Sequence, residues 1–268
     1  MNRKKLYYCD LSTLIRYPPD QKSEYVGKTG RFLSYQKEMA VMMNEIKISP
    51  SVVCADLSQL GNQVRLLDEA GVDLFHWDIM DGVFVHNFCL TPDLITACRP
   101  FTKKPFDVHM CIADPASFIP EIVATGSDII SLQYESTPHI FRAVQSIHKA
   151  GRKAGVVISP KTPLTDLEYL LADLQMVTVM TVDVGFAGQS FLTPMLDKIR
   201  KLREMIDERH LDVDIQVDGQ INDKTFKSVI DAGANVLVVG TSGLFNLDPD
   251  LNKAMSLVRE KVNQIVGA

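Results

Sequence analysis

A chain of 268 residues, 46% apolar and 23% charged, has the make-up of an ordinary globular protein with one large core or two small ones. Its net charge of −5 gives no electrostatic basis for binding nucleic acid or an anionic membrane, and no apolar run approaches the roughly 18 residues of a membrane span. Five cysteines (Cys9, Cys54, Cys89, Cys98, Cys111), odd in number and never in a C-x-x-C pair, argue for free thiols and against a disulfide scaffold or a zinc ribbon.

Residues 1–44 are polar and punctuated by Pro18-Pro19. They are basic at the start but lack the apolar stretch and cleavage site of a secretion signal, so the expected location is cytoplasmic. They read as an N-terminal extension ahead of a single domain, 45–268. They are either an appendage to that domain or sequence upstream of a natural start at Met42–Met43.

From Glu45 the chain alternates regularly. Strand-like runs IKISPSVV, LFHWDIM, FDVHMCI, DIISLQY, AGVVIS, VTVMTVD, DIQVDG and NVLVVGT are each followed by a helical stretch. The helical stretches are LGNQVRLLDEAG, TPDLITACRP, PASFIPEIVATG, HIFRAVQSIHKAG, LTDLEYLLADL, FLTPMLDKIRKLREMI, NDKTFKSVIDAG and LNKAMSLVREKVNQI, four of them ending in glycine. Several strands are apolar throughout, as parallel strands covered on both faces should be. Eight such repeats predict an α/β fold, a (β/α)8 TIM barrel. A doubly wound open sheet would want a G-x-G-x-x-G after its first strand, and none is there.

Barrel enzymes gather their chemistry at the carboxyl ends of the strands. The second run carries His76 and Asp78, two apart and therefore on one face; the third presents His109, and the seventh presents Asp218. Asp before Gly is commonly turn chemistry, and a single strand histidine is commonly structural. Four such residues at strand ends of one barrel instead point to a divalent cation site for Zn²⁺, Fe²⁺, Co²⁺ or Mn²⁺. Glycine-bearing turns follow the last three strands: Gly185 and Gly188, then Gly219, then Gly240-Thr241-Ser242-Gly243. Their backbone N–H groups suit a phosphate without help from lysine. With a cation on a substrate carbonyl, Asp78 and Asp218 could move a proton from one face of the adjacent carbon to the other. By spacing alone this is one option among metal-assisted chemistries.

The segments ISPSVVCADL, HWDIMDGVFVHN, DVHM, VMTVDVGFAGQSF, VDG and VGTSGLF, in this order, resemble the ribulose-phosphate 3-epimerase family over about residues 46–268. The sixth- and eighth-strand segments look most similar to its D-allulose-6-phosphate 3-epimerase branch. The resemblance implies a ribulose-phosphate-binding barrel that inverts carbon 3 of a ketose phosphate through an enediolate. D-allulose 6-phosphate is then the first expected substrate and D-ribulose 5-phosphate the alternative. It implies one divalent metal held by His76, Asp78, His109 and Asp218, with Asp78 as proton acceptor and Asp218 as donor. Ser51, His109, Gly185, Phe186, Ala187, Gly188, Asp218, Gly219, Gln220, Gly240 and Thr241 would contact substrate, and Met80, Met110 and Met180 would line the site. It implies a homo-oligomer, dimer or hexamer.

Val184, His86, Gln220 and Gln133 depart from the family pattern, which bears on specificity more than on the reaction. A rival of the orotidine-phosphate decarboxylase type would want Asp-x-Lys-x-x-Asp, and the second strand has no lysine. A non-catalytic sugar-phosphate binder would be expected to lack an acid or a ligand.

Overall fold

A computed structural model of the protein describes residues 45–267, so the expectation for residues 1–44 lies outside the described residues. Eight parallel strands follow one another: β1 (Lys47–Pro50), β2 (Phe75–Met80), β3 (Phe106–Cys111), β4 (Ile129–Gln133), β5 (Lys153–Ile158), β6 (Met176–Met180), β7 (Asp214–Asp218) and β8 (Val236–Val239). They pair in the order β1-β8-β7-β6-β5-β4-β3-β2, and a parallel bridge between Ser51 and His76 closes the ring between β1 and β2. The fold is the expected TIM barrel.

Alternation along each strand separates two cores. Outward residues such as Phe75, Trp77, Phe106, Val108, Ile130, Val156, Val177, Ile215 and Leu237 are buried under the helices. Inward residues stack in layers drawn from alternate strands. The bottom layer is apolar: Leu74, Ile129, Met176 and Val236, from the even-numbered strands or their first approach. Above it the filling turns polar, and Ser49, His76, Asp107, Ser131, Thr178 and Gln216 are all fully buried. Barrel interiors are ordinarily packed with branched apolar side chains. Buried polar groups are mostly hydrogen-bonded, and among these only Ser49 Oγ and His76 Nε2 have no partner.

The outer layer holds α1 (Leu60–Glu69), α2 (Pro92–Cys98), α3 (Pro115–Ala124), α4 (Ile140–Lys149), α5 (Met195–Glu208), α6 (Phe226–Asp231) and α7 (Leu251–Val266). In α4, Ile140, Ala143, Val144 and Ile147 are buried at the spacing of one helical face. At the start of α7 the Asp250 side chain caps the helix by accepting from Asn252 N. Gly126 and Gly151, after α3 and α4, take φ of +82° and +73°, the left-handed turn that ends a helix. One predicted helix is absent. LTDLEYLLADL forms two 3₁₀ turns, Leu164–Leu167 and Leu171–Asp173. Its Leu167, Leu170, Leu171 and Leu174 are buried as the periodicity requires, but the tighter winding rises about 2.0 Å per residue against about 1.5 Å for an α-helix. A short connection thereby spans more of the barrel wall. No described helix is long and apolar enough to cross a membrane.

Candidate active site and metal centre

The carboxyl ends of the strands open on a cavity of about 590 Å³. Its floor is set by register. β2 carries His-x-Asp and β3 carries Asp-x-His, and the two pair with His76 opposite Asp107 and Asp78 opposite His109. Two acid–imidazole layers result, one above the other.

In the lower layer, Asp107 Oδ2 accepts from His76 Nδ1 at 2.8 Å and from Gln216 Nε2 at 3.1 Å, and Oδ1 accepts from Ser131 Oγ at 2.6 Å. Gln216 Oε1 in turn accepts from Thr178 Oγ1 at 2.8 Å. An ionised carboxylate only accepts, so Nδ1 carries a His76 proton, and in the neutral imidazole Nε2 is the nitrogen left bare. That nitrogen is buried without a hydrogen-bond partner. It faces Asp78 Oδ1 at 3.3 Å and Asp218 Oδ2 at 3.8 Å. In the upper layer, His109 Nδ1 lies 3.0 Å from Asp78 Oδ1, and its Nε2 lies 2.8 Å from Gln133 Oε1. Ser51 Oγ donates to Asp78 Oδ2 at 3.0 Å.

One ligand atom from each of His76, Asp78, His109 and Asp218 lies within 4.8 Å of all the others. The Nε2 of a neutral His76 aimed at two carboxylates is an acceptor facing acceptors, which is stable only around a cation, a proton in the metal-free site or a metal ion in its place. The residues therefore fit a divalent ion, and imidazole with carboxylate suits the borderline metals. Without a metal ion, the local field draws a positive charge to this point. For Asp78, burial opposes ionisation, but the facing His76 and the hydrogen bond to His109 outweigh it and hold the carboxyl well below its ordinary value. Asp218 moves the other way: burial and then the Asp78 charge push it up to about 6. For His76, burial works against the charged form, yet Asp78 and Asp107 raise it well above its ordinary value.

The walls come from loops. Asn87 Nδ2 donates to Gly185 O at 2.7 Å and ties the loop after β2 to the loop after β6. Gly219 takes φ +112°, and a side chain there would come within 3.0 Å of Val182 N, so the turn after β7 needs glycine. The next residue, Gln220, holds φ +55° although it has a side chain. After β8, Thr241–Phe245 wind as one π turn whose Gly240 carbonyl accepts from Gly243 N and Leu244 N. Such turns recur at functional sites.

Ser51, Asp78, Met80, His109, Met180, Gly185, Phe186, Ala187, Gly188, Asp218, Gly219, Gln220, Gly240 and Thr241 all line the cavity. His76 lies beneath its floor, fully buried. Met110 does not line it: its neighbour His109 points inward, so alternation turns Met110 outward into the layer under the helices. The next inward position on β3 is Cys111. Of the departures, Val184 lines the cavity and His86 does not. Asp107, Ser131 and Gln216 escaped the sequence reading. The available signal was Asp107 itself, two before His109 on the same strand face.

Together these features make a (β/α)8 barrel with a candidate four-residue His/Asp metal centre at the carboxyl ends of its strands. A model of the ribulose-phosphate 3-epimerase family matches residues 47–245. Ribulose-phosphate 3-epimerase from Synechocystis is 43% identical over 81% of this chain and 95% of its own length. The Bacillus subtilis protein of that name is 42% identical over 80% and 98%, and the Escherichia coli K12 one 34% over 83% and 99%. The chain belongs to the ribulose-phosphate 3-epimerase family, and as such is an enzyme of the isomerase class. Solved structures with similar folds include a tryptophan synthase α-subunit from Pyrococcus furiosus (TM-score 0.59, 16% identity, covering 84% of this chain and 98% of that one). Another is thiamine phosphate pyrophosphorylase from the same organism (TM-score 0.57, 16% identity, 84% and 100%). At such identity the likeness speaks for the fold alone.

Proposed function

We propose that the protein is a divalent-cation-dependent ketose-phosphate 3-epimerase whose substrate is D-ribulose 5-phosphate, interconverted with D-xylulose 5-phosphate. One observation carries the reaction type. Two carboxylates from separate sides of the barrel, Asp78 on β2 and Asp218 on β7, meet at one cavity floor. Two carboxylates converging on one substrate cavity are suited to act as base and acid. Asp78 takes the proton from carbon 3, and Asp218 returns one to the opposite face. The roles exchange in the reverse direction. Ser51, donating to the second oxygen of Asp78, fixes the carboxylate so that one oxygen stays directed at the cluster. A cation held by His76, Asp78, His109 and Asp218 supplies Lewis-acid stabilisation of the charge that develops on the substrate oxygens.

Among the described residues no lysine or arginine lines the cavity. The phosphate is therefore assigned to N–H groups of the Gly185–Gly188 loop, the Gly219–Gln220 turn and the Gly240–Ser242 turn. The pentulose is preferred because the similar curated proteins carry ribulose phosphate in their names. The hexulose phosphate expected from the sequence is the second reading. It rests on VMTVDVGFAGQSF and VGTSGLFN, segments that contribute to the cavity wall.

The test compares kcat/KM for D-ribulose 5-phosphate and D-allulose 6-phosphate with metal-reconstituted and with chelated protein. A preference for the pentulose phosphate that disappears on chelation is expected. Preference for the hexulose phosphate would replace the substrate and keep the reaction. Turnover unaffected by chelation would remove the cation.

A further inference from the structure

We propose that Gln133 is a positioning residue that fixes which nitrogen of His109 is offered to the cation, and that Glu135 sets the direction of this control. The proposal rests on the reading of His109 as a ligand.

Gln133, the last residue of β4, is fully buried beside His109. An amide has two faces of opposite polarity, and its neighbours decide which one His109 meets. On the far side, Gln133 Nε2 donates to Glu135 Oε2 and to Ser159 Oγ at 3.1 Å. A serine hydroxyl can donate or accept, so Ser159 imposes no direction. A carboxylate only accepts, and so the amide nitrogen must face Glu135. Glu135 is itself anchored through its other oxygen, which accepts from Ser159 N at 2.9 Å and from Thr162 Oγ1. Lys198 Nζ locks the same loop by donating to the carbonyls of Ser159, Pro160 and Thr162.

The carbonyl of Gln133 is thereby turned on His109 Nε2 at 2.8 Å, which requires that nitrogen to carry the proton. The lone pair falls on Nδ1, the atom 3.0 Å from the Oδ1 of Asp78, another residue of the candidate cluster. His76 is held the other way round: its Nδ1 is bonded to Asp107 and its Nε2 faces the cluster. The two histidines thus present different nitrogens because two different buried acceptors stand behind them. Both partners fix a ligand without touching the ion, the usual task of groups behind metal-binding histidines.

The chain of polarity makes an isosteric prediction. In Glu135→Gln the new amide keeps its oxygen toward Ser159 N and Thr162 and turns its NH₂ on Gln133. Gln133 must then flip, present its own NH₂ to His109, and draw the proton to Nδ1. Gln133→Leu removes the acceptor altogether. Gln133→His restores it, since an imidazole can donate to Glu135 with one nitrogen and accept from His109 with the other.

The experiment uses full-length protein labelled with ¹⁵N-histidine, read by two-bond proton–nitrogen correlation spectra of the metal-free form, together with competitive Zn²⁺ titration. The expected result is an Nε2–H tautomer for His109 in the parent, lost in Gln133→Leu and Glu135→Gln. Zn²⁺ affinity falls about 10–100-fold in both and returns to within a few-fold of the parent in Gln133→His. Thermal melting separates a folding defect in Gln133→Leu from a loss of binding, and Glu135→Gln preserves shape throughout. An Nδ1–H tautomer in the parent would overturn the proposal. So would unchanged Zn²⁺ affinity with an unchanged tautomer in Glu135→Gln. If the parent takes up no Zn²⁺, the ligand role of His109 fails, while the tautomer spectra still decide what Gln133 and Glu135 do.

Discussion

Asp107 offers the sharpest test of the buried polar layer, because two substitutions of one residue should separate stability from cation binding. Asp107→Ala removes the acceptor of three buried donors: His76 Nδ1–H, Gln216 Nε2–H and Ser131 Oγ–H. Each buried donor left unsatisfied costs at least about 1 kcal/mol, so the three together cost at least about 3 kcal/mol. With a urea dependence of about 2–3 kcal/mol/M, the unfolding midpoint of the chelated protein should fall by about 1 M or more. Asp107→Asn behaves differently. Its carbonyl oxygen can keep His76 and Gln216, and its NH₂ meets Ser131, whose hydroxyl can rotate to accept. Stability should drop by less than about 1.5 kcal/mol, a single net hydrogen bond. The charge behind His76 is nonetheless gone, which lowers the basicity of Nε2 toward a cation. Zn²⁺ affinity should weaken about 10–100-fold in a competition titration. The reasoning is refuted if Asp107→Ala loses less than about 1 kcal/mol, or if Asp107→Asn binds Zn²⁺ as tightly as the parent.

Three further outcomes follow from other parts of the site. Gln220 Oε1 is taken by Ser242 Oγ at 2.9 Å and Asn222 Nδ2 at 3.4 Å, leaving its amide hydrogens for substrate. Gln220→Ala should raise KM for the sugar phosphate several-fold with kcat little changed, read in steady-state kinetics; an unaltered KM would exclude the contact. Burial and the Asp78 charge push the Cys89 thiol up to about 12, so in metal-free protein about one thiol in 10⁴ is ionised at pH 8. Its alkylation by iodoacetamide should rise about tenfold per pH unit through pH 10, whereas a plateau near pH 9 would mark an ordinary thiol. For Glu135, burial opposes ionisation, but hydrogen bonds from Thr162, Gln133 and Ser159 hold the carboxyl below its ordinary 4.5. A depressed folded value means its stabilisation is complete above about pH 4.5 and is lost as the pH falls through the folded value. Glu135→Gln should therefore flatten the acid side of the urea-midpoint profile, and an unchanged acid slope would show that the group contributes nothing.

What the sequence disclosed and what it withheld divide along one physical line. Strand period, glycine stops and helical faces are local, and they announced every strand of the barrel and all but one of the helices. The exception, LTDLEYLLADL, had the right leucines for burial, but their spacing does not distinguish α from 3₁₀ winding over so short a connection. His76, Asp78, His109 and Asp218 were legible as a group, because each alone has an ordinary structural reading and four at the strand ends of one barrel do not. Asp107, two before His109, was passed over because it is a lower rung of the same face, and only the β2–β3 register sets it behind His76 and not beside His109. Met110 shows the converse error, in which matching a motif overrode the alternation that the histidine beside it already fixed. Gln133 stood out in the sequence as a departure, but its consequence depends on Glu135, Ser159 and Thr162 beyond the ends of two strands. A sequence displays which residues can bind a cation. Which atom each one offers is decided by acceptors one layer further out, and those are assembled only by the closed barrel.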